Sequence, residues 1–156
     1  MTYMVSGLRR NDFTKLFAMS DTELAERNAV RVQATSHGFP CRVSLKDAEE
    51  GDTLILLHHV SHDVATPYRS SYAIYVNETA VEVAPYVDST PPVFEGRPIA
   101  LRGFDERGML QAASLALPGQ ADAKIREVLA NPEIAYIHAH NAAHGCYSAR
   151  IDRYDD

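Results

Sequence analysis

Short runs of alternating apolar and polar residues, separated by turn-forming residues, occupy most of this chain. Thr53–His59 is the most apolar of them and predicts a core strand, and Ser71–Val76 is rich in strand-forming residues. Ile99–Phe104 and Met109–Leu117 flank the turn Asp105–Gly108, in which the glycine suits a positive φ angle. This spacing predicts strands that are mostly joined by short turns.

Helical periodicity is confined to a few segments. Ser20 and Glu23 match a capping box, in which the hydroxyl and the carboxylate each bind a free backbone N–H group, so we expect a helix from there to about Asn28. Ala121–Ala130 is the clearest helix, because its apolar residues fall on one face and Pro132 follows its end. Together with the strands, these segments predict a single α+β domain over residues 1–156. We expect a mostly antiparallel sheet or partly closed barrel with two or three helices.

The composition is that of an ordinary globular protein, with 46% hydrophobic and 23% charged residues. The formal net charge is −6, and Arg9-Arg10 is the only short basic pair, so we do not expect a nucleic-acid partner. No apolar run approaches the roughly 18 residues that a membrane helix needs, so we do not expect a membrane partner either. Met1–Leu8 is too short and too polar for a signal peptide, which predicts a cytoplasmic protein with reduced thiols.

Three of the seven histidines and one of the two cysteines lie within Tyr136–Tyr147. Ile134–His140 predicts a strand, and its alternation places His138 and His140 on one face, about 6–7 Å apart at the backbone. Two such imidazoles suit one metal ion or one anion, and Cys146 would complete a set of three zinc ligands. The alternative is a pair of half-exposed histidines on an edge strand that bind only backbone groups or water.

A second histidine cluster, His58-His59 with His62, follows the core strand. Adjacent side chains face opposite sides of a strand, so at most one of the pair shares a site with His62. We interpret this cluster as a strand that leaves the core for a polar loop over Ser61–Pro67.

Two further segments carry donors for an anion. Arg69 offers the planar fork that matches a carboxylate or phosphate, and Ser70 and Ser71 add hydroxyl groups. The alternative is a turn with Arg69 in a surface ion pair. In Cys41-Arg42 the guanidinium favours the thiolate if the two groups meet. Neighbours on a strand point apart, however, so a buried structural cysteine is the competing interpretation.

Several short motifs occur along the chain and are specific in combination. They are Phe39-Pro40-Cys41-Arg42, Pro67-Tyr68-Arg69-Ser70-Ser71, Arg102-Gly103-Phe104-Asp105 with Gly108-Met109, Tyr136-Ile137-His138-Ala139-His140-Asn141-Ala142, and Gly145-Cys146-Tyr147-Ser148-Ala149-Arg150. In this pattern the chain resembles, from about Val30 onward, a bacterial family of unknown function, number 1203 in the domains-of-unknown-function series. The resemblance implies a single-domain bacterial protein and no particular activity. It draws attention to Cys41, Arg69, His138 or His140, Asn141 and Cys146.

Functions of four different classes are compatible with these residues. We place first a domain that binds a small anionic ligand in a polar pocket. Its polar groups would come from Cys41, Arg42, Arg69, Ser70, Ser71, Arg150 and an imidazole of His138 or His140.

Three alternatives remain open. One is a cysteine-dependent enzyme with Cys146 or Cys41 as nucleophile, His138 or His140 as base, and Asn141 to orient the base. Another is a metal-binding protein that uses His138 and His140. The last is a structural or interaction protein, for example a homodimer that pairs sheet edges. No glycine-rich nucleotide motif occurs, so the sequence names no cofactor.

Overall fold

A computed structural model describes residues 1–155 of the chain, and over that range it contains nine strands and three α-helices. The strands are β1 Tyr3–Ser6, β2 Val30–Gln33, β3 Thr53–His62, β4 Ser70–Asn77, β5 Tyr86–Val87, β6 Ile99–Phe104, β7 Leu110–Ala116, β8 Tyr136–Asn141 and β9 Tyr147–Arg153. The helices are α1 Thr14–Phe17, α2 Asp21–Ala25 and α3 Ala121–Leu129, with short 3-10 turns at Arg10–Asp12 and Pro92–Phe94.

Six strands form one antiparallel sheet in the order β5-β1-β9-β8-β6-β7. Alternation along β8 buries Ile137 on one face, where it joins Leu101 of β6 and Ile151 of β9 in a core with α3. The helix contributes Ile125 and Leu129 to this core, because these residues recur at helical spacing. The residues of β8 that alternate with Ile137 point to the opposite face, so the polar chemistry of this strand is kept away from α3.

The other three strands form a second antiparallel sheet in the order β2-β3-β4. Its apolar residues Ile55, Ile74 and Val76 pack in a second core with Leu24 of α2 and with Phe13. The long β3–β4 pair is therefore covered on one face by the N-terminal helical segments.

The architecture is α+β with antiparallel sheets, as the sequence predicts. Both sheets remain open over residues 1–155, so the barrel form of the prediction is not adopted. Within the same range, no helix has the length and apolar character needed to cross a membrane.

The helix at the predicted capping box is present but shorter than expected. The Glu23 N–H donates to the Ser20 hydroxyl at 3.2 Å, and the Ser20 N–H donates to the Glu23 carboxylate at 2.7 Å. However, α2 ends at Ala25, and Asn28 takes a positive φ of 55°, a left-handed conformation that turns the chain out of the helix.

Strand β3 is longer than predicted and carries His62 out of the expected polar loop. It continues to His62, which pairs with Ser70 of β4 across a bulge. His62 is only 4% exposed, and its ring centroid lies 4.2 Å from that of Phe104. The interpretation of this histidine as part of a solvated loop is therefore wrong, because β4 extends the pairing beyond the apolar run.

Candidate functional site

The loop that follows β2 carries Arg42 across the three-stranded sheet. Cys41 forms a parallel bridge to Tyr75 of β4, and the Arg42 N–H donates to the Tyr75 carbonyl at 3.1 Å. On its other side, the Arg42 carbonyl accepts from the Leu8 N–H at 2.8 Å. Gly7 permits this approach, since a Cβ there would lie 2.5 Å from a carbonyl oxygen of the loop. The loop is thereby fixed on both sides, and Arg42 is 2% exposed.

The guanidinium of Arg42 donates three hydrogen bonds, two to carbonyl groups and one to a thiol. Its Nε donates to the Tyr147 carbonyl at 2.9 Å, and Nη1 donates to the Pro40 carbonyl at 2.5 Å. Its Nη2 donates to the Cys146 sulfur at 3.1 Å. Burial lowers the pKa of Arg42, and the sulfurs of Cys146 and Cys41 oppose that shift. An arginine in a protein keeps its proton, so the interior holds a positive charge that no carboxylate of residues 1–155 pairs with.

The β8–β9 hairpin places Asn141 beside Cys146. The Asn141 N–H donates to the Cys146 carbonyl at 3.0 Å, and Gly145 supplies a positive φ of 76° in the turn. The Asn141 Nδ2 also donates a long hydrogen bond, 3.8 Å, to the Cys146 sulfur. Asn141 is 7% exposed, and its Oδ1 is buried without a hydrogen-bond partner in the described part of the chain. Leaving such an acceptor unsatisfied costs roughly 1–3 kcal/mol, so this oxygen requires an explanation.

Arg42, Asn141 and Cys146 line one cavity of about 400 Å³, called here the Arg42 cavity. Its other walls include Leu56, Tyr72, Ala73, Tyr75, Arg97 and His144. Arg97 adds no free charge, because both of its terminal nitrogens bind the Asp47 carboxylate. The cavity therefore combines one guanidinium without a carboxylate partner in the described range, one thiol, one amide and the His144 imidazole with aromatic and aliphatic walls.

A larger depression of about 680 Å³ is bordered by Asp105 and Arg153. Its Asp105 and Arg153 side chains already have partners inside the protein. Asp105 accepts from Arg107 and Gln111, and Arg153 donates to two carbonyl groups of the 131–134 turn. The Arg42 cavity is the stronger candidate, because its buried polar groups are not all satisfied.

The histidines of β8 lie in a separate region, called here the imidazole cluster. Its members are His62, Phe104, Tyr136, His138, His140 and Tyr147. The His62 Nδ1 lies 2.8 Å from the Tyr68 carbonyl and donates to it, and its Nε2 forms a hydrogen bond of 2.6 Å with the Tyr136 hydroxyl. Burial, followed by the neighbouring His62, lowers the pKa of His138 to about 3, and this ring is therefore neutral at physiological pH.

His140 belongs to the same cluster and is also neutral. Its Nδ1 donates to the Gly145 carbonyl at 2.9 Å, and its ring stands edge-on to Tyr72, with 4.9 Å between centroids. Burial lowers the pKa of His140 to about 4. The residue is 2% exposed, so a half-exposed edge-strand histidine does not describe it.

The positions of the candidate metal ligands and of the Cys146 thiol do not favour the metal-binding and enzyme hypotheses. Over residues 1–155, no group of three or more His, Cys, Asp or Glu side chains is placed to hold a metal ion. The hydrogen bonds of the Cys146 sulfur go to Arg42 and Asn141, and within the same range none joins it to an imidazole. The geometry therefore pairs the thiol with a cation and an amide rather than with a base.

The other predicted anion donors lie outside the Arg42 cavity. Arg69 is exposed and donates to the Asp63 carboxylate at 3.0 Å. The Ser70 hydroxyl donates to the Tyr68 carbonyl at 2.7 Å, and Ser71 is exposed on β4. This segment thus forms a turn with a surface ion pair, which is the alternative that the sequence left open.

Arg150 and Cys41 are also occupied elsewhere. Arg150 binds the Asp152 carboxylate at 2.8 Å and covers the ring of Tyr136, with its guanidinium carbon 4.0 Å from the ring centroid. Cys41 is 1% exposed, and its sulfur accepts from the Asn77 N–H at 3.4 Å. Of the predicted site residues, the structure brings Arg42, Asn141 and Cys146 together in the Arg42 cavity, and His138 and His140 together in the imidazole cluster.

Sequence reasoning did not select Tyr75 and Arg97 as cavity residues. Strand alternation places Tyr75 on the same face as Ala73, but no local signal identifies what covers that face. Arg97 meets Asp47 fifty residues away in the chain, and a pairing over that separation leaves no periodic pattern.

These features define the class: an α+β protein with two open antiparallel sheets and a polar cavity around a buried arginine and a half-buried thiol. The family described as protein of unknown function, DUF1203, matches residues 38–153, well over half of the chain. The chain belongs to this family, which confirms the resemblance seen in its motifs. All residues of the Arg42 cavity fall within the matched range. No curated protein and no solved structure matches the chain.

Proposed function

We propose that this protein binds a small carboxylate in the Arg42 cavity. The observation that carries the proposal is the guanidinium of Arg42, which is 2% exposed, lines the cavity and has no carboxylate partner within residues 1–155. An isolated charge in a protein interior is costly unless it is paired. A bound anion removes that cost, and the energy gained contributes to the affinity.

The remaining donors of Arg42 suit a carboxylate. A guanidinium has five N–H groups, and three are used by Pro40, Cys146 and Tyr147, so two remain. A planar fork of N–H groups matches the two oxygens of a carboxylate better than it matches a single point charge. The anion site is therefore assigned to Arg42, which the sequence pattern had indicated beside Arg69 and Arg150.

The other cavity residues indicate which further groups the ligand should have. Leu56, Tyr72 and Tyr75 offer an apolar wall, and about 400 Å³ lies at the small end of the range for ligand pockets. The buried Oδ1 of Asn141, without a donor in the described residues, calls for a ligand N–H or O–H group. A short hydroxy- or amino-carboxylate meets all three requirements.

The proposal is tested with lactate, and with lactamide as its uncharged counterpart. We expect lactate to raise the melting temperature and to give a binding isotherm by calorimetry, because it binds the folded state alone. Lactamide lacks the negative charge and should bind at least about tenfold more weakly, which corresponds to about 1.4 kcal/mol.

Ala73 supplies a matched pair of variants. It is exposed on β4 and lines the cavity, so new side chains are accommodated there without disturbing the core. Ala73→Glu adds a negative charge at the cavity and should weaken lactate binding about tenfold, since like charges repel in a partly desolvated site. Ala73→Gln has the same size and should bind like the wild type. Equal binding by the two variants, or equal binding of lactate and lactamide, would refute a carboxylate site here.

A further inference from the structure

The two cysteines of the chain lie in opposite environments. Cys146 is half-buried, lines the Arg42 cavity and accepts N–H groups from Arg42 at 3.1 Å and from Asn141 at 3.8 Å. Cys41 is 1% exposed in the apolar core, where its sulfur accepts the backbone N–H of Asn77 and no other donor of residues 1–155. Cys146 therefore has both access from the cavity and donors directed at its sulfur.

The charge of Arg42 lies directly against that sulfur, to which Nη2 donates at 3.1 Å. Of the three groups that accept its hydrogen bonds, two are backbone carbonyls, and the Cys146 sulfur is the one that can carry a full negative charge. A cation in direct contact stabilises a thiolate relative to a thiol. The second donor, the Nδ2 of Asn141, acts in the same direction because it also points at sulfur.

A second observation in the Arg42 cavity indicates that a small molecule can bind beside Cys146. The Oδ1 of Asn141 is buried, lacks a donor within residues 1–155, and belongs to a side chain that lines the cavity. The Nδ2 of the same amide is directed at the Cys146 sulfur, so a molecule that approaches this sulfur comes beside the Asn141 side chain. A small molecule with an O–H group therefore meets both the nucleophile and an acceptor in this cavity.

We propose that Cys146 is an oxidative modification site, at which hydrogen peroxide converts the thiolate to a sulfenic acid. The sulfur attacks one peroxide oxygen, the O–O bond breaks, and hydroxide leaves. Cysteine sulfur is oxidised by two electrons, and the peroxide is reduced to water when hydroxide takes up the proton that the thiol released. The modification uses the same guanidinium as the proposed carboxylate site, but it requires no carboxylate ligand.

The test compares Cys146 in the folded protein with Cys146 in the chain unfolded by urea, at pH 7. Hydrogen peroxide is added with dimedone as a trap for sulfenic acid, and both cysteines are quantified by peptide mass spectrometry. In the unfolded chain an ordinary thiol is only a few per cent ionised at pH 7. We expect pairing with Arg42 to make Cys146 react about tenfold faster in the folded protein than in the unfolded chain. Burial alone can only slow the reaction, so a folded rate equal to or below the unfolded rate overturns the proposal.

Arg42→Met tests the source of the activation. We expect the rate at Cys146 to fall to the unfolded value or below, while Cys41 stays unlabelled because the core remains closed. If Arg42→Met does not fold, both cysteines are labelled at similar rates, and Arg42→Lys is used instead, which keeps a charge but loses the fork. Its rate at Cys146 should lie between those of the wild type and the unfolded chain. A wild-type rate in either folded variant would show that the guanidinium is not responsible and would overturn the proposal.

The outcome is separable from that of the carboxylate site. Cys146→Ser is the labelling control and should lose all trapping at this position, while lactate binding is measured on the wild-type protein. A protein that binds lactate but oxidises Cys146 no faster than the unfolded chain retains the carboxylate site and loses this proposal. Fast oxidation of Cys146 in a protein that binds no lactate would retain the modification site and rule out the carboxylate site.

Discussion

The imidazole cluster and the Arg42 cavity both bury polar side chains next to β8, but they resolve the cost of burial differently. In the cluster, His62 is satisfied by Tyr68 and Tyr136, and the His138 ring has lost its charge. In the cavity, Arg42 stays charged and the Oδ1 of Asn141 has no donor within residues 1–155. The cluster therefore holds no unpaired charge on its two β8 histidines, whereas the cavity, over the same described residues, holds one on Arg42.

The difference follows from the ionisation of the two side chains. A histidine loses its proton near neutral pH, so burial changes its charge at small cost. An arginine cannot do so, and its charge must be met by another group. A histidine-rich strand is thus a weaker indication of a site than one buried arginine beside open space.

The largest expected effect is a loss of stability at acid pH, and it tests whether the histidines of the imidazole cluster are buried without charge. Because the pKa values of His138 and His140 are lowered to about 3 and about 4, the unfolded chain binds their protons more readily than the folded protein does. Stability should therefore fall as the pH drops below the unfolded value near 6.5, by about 1.4 kcal/mol per pH unit for each histidine. From pH 7 to pH 5 the two together should remove about 4 kcal/mol, measured by urea unfolding.

His138→Phe is the control for this pH dependence. The phenyl ring keeps most of the volume in an aromatic environment and removes one of the two protonation sites. The slope between pH 6 and pH 5 should fall by about half. A wild-type slope in this variant would mean that other groups cause the acid sensitivity.

The next effect concerns the structural role of Arg42. Arg42→Met keeps an aliphatic chain of similar reach but leaves the carbonyls of Pro40 and Tyr147 without their donors. Two buried acceptors without partners should lower the free energy of unfolding by about 2–4 kcal/mol at pH 7. Urea midpoints measure this loss, and an unchanged midpoint would mean that the guanidinium is not needed to hold the loop against β9.

Much of the fold was predictable because its signals are local. The capping box at Ser20, the helix around Ile125 and the turn at Gly108 each depend on residues within a few positions of one another. The hairpin that brings Asn141 close to Cys146 is local as well. These elements depend on short-range sterics and hydrogen bonding between residues that are close in the sequence, so they are predictable from the sequence.

The candidate site was less predictable because it depends on distant pairings. Arg42 and Cys146 are separated by 104 positions and meet only when the loop after β2 crosses to the β8–β9 hairpin. The sequence selected both residues but did not pair them, and it placed Arg69 in the centre of the site instead. It also could not distinguish buried from half-exposed histidines, since the cover over His138 comes partly from His62 of the other sheet.

The smallest expected effect concerns Arg69, the arginine that the sequence alone favoured. Its side chain is 61% exposed, and that of its partner Asp63 is 77% exposed, so water screens their ion pair. Arg69→Ala should change the free energy of unfolding by no more than about 0.5 kcal/mol. The same variant should bind lactate as the wild type does, measured by calorimetry at equal ionic strength, because Arg69 is not part of the Arg42 cavity. A tenfold loss of lactate affinity in Arg69→Ala would place the anion site at the β3–β4 turn. The Cys146 sulfur would then be the one group within residues 1–155 that can balance the charge of Arg42.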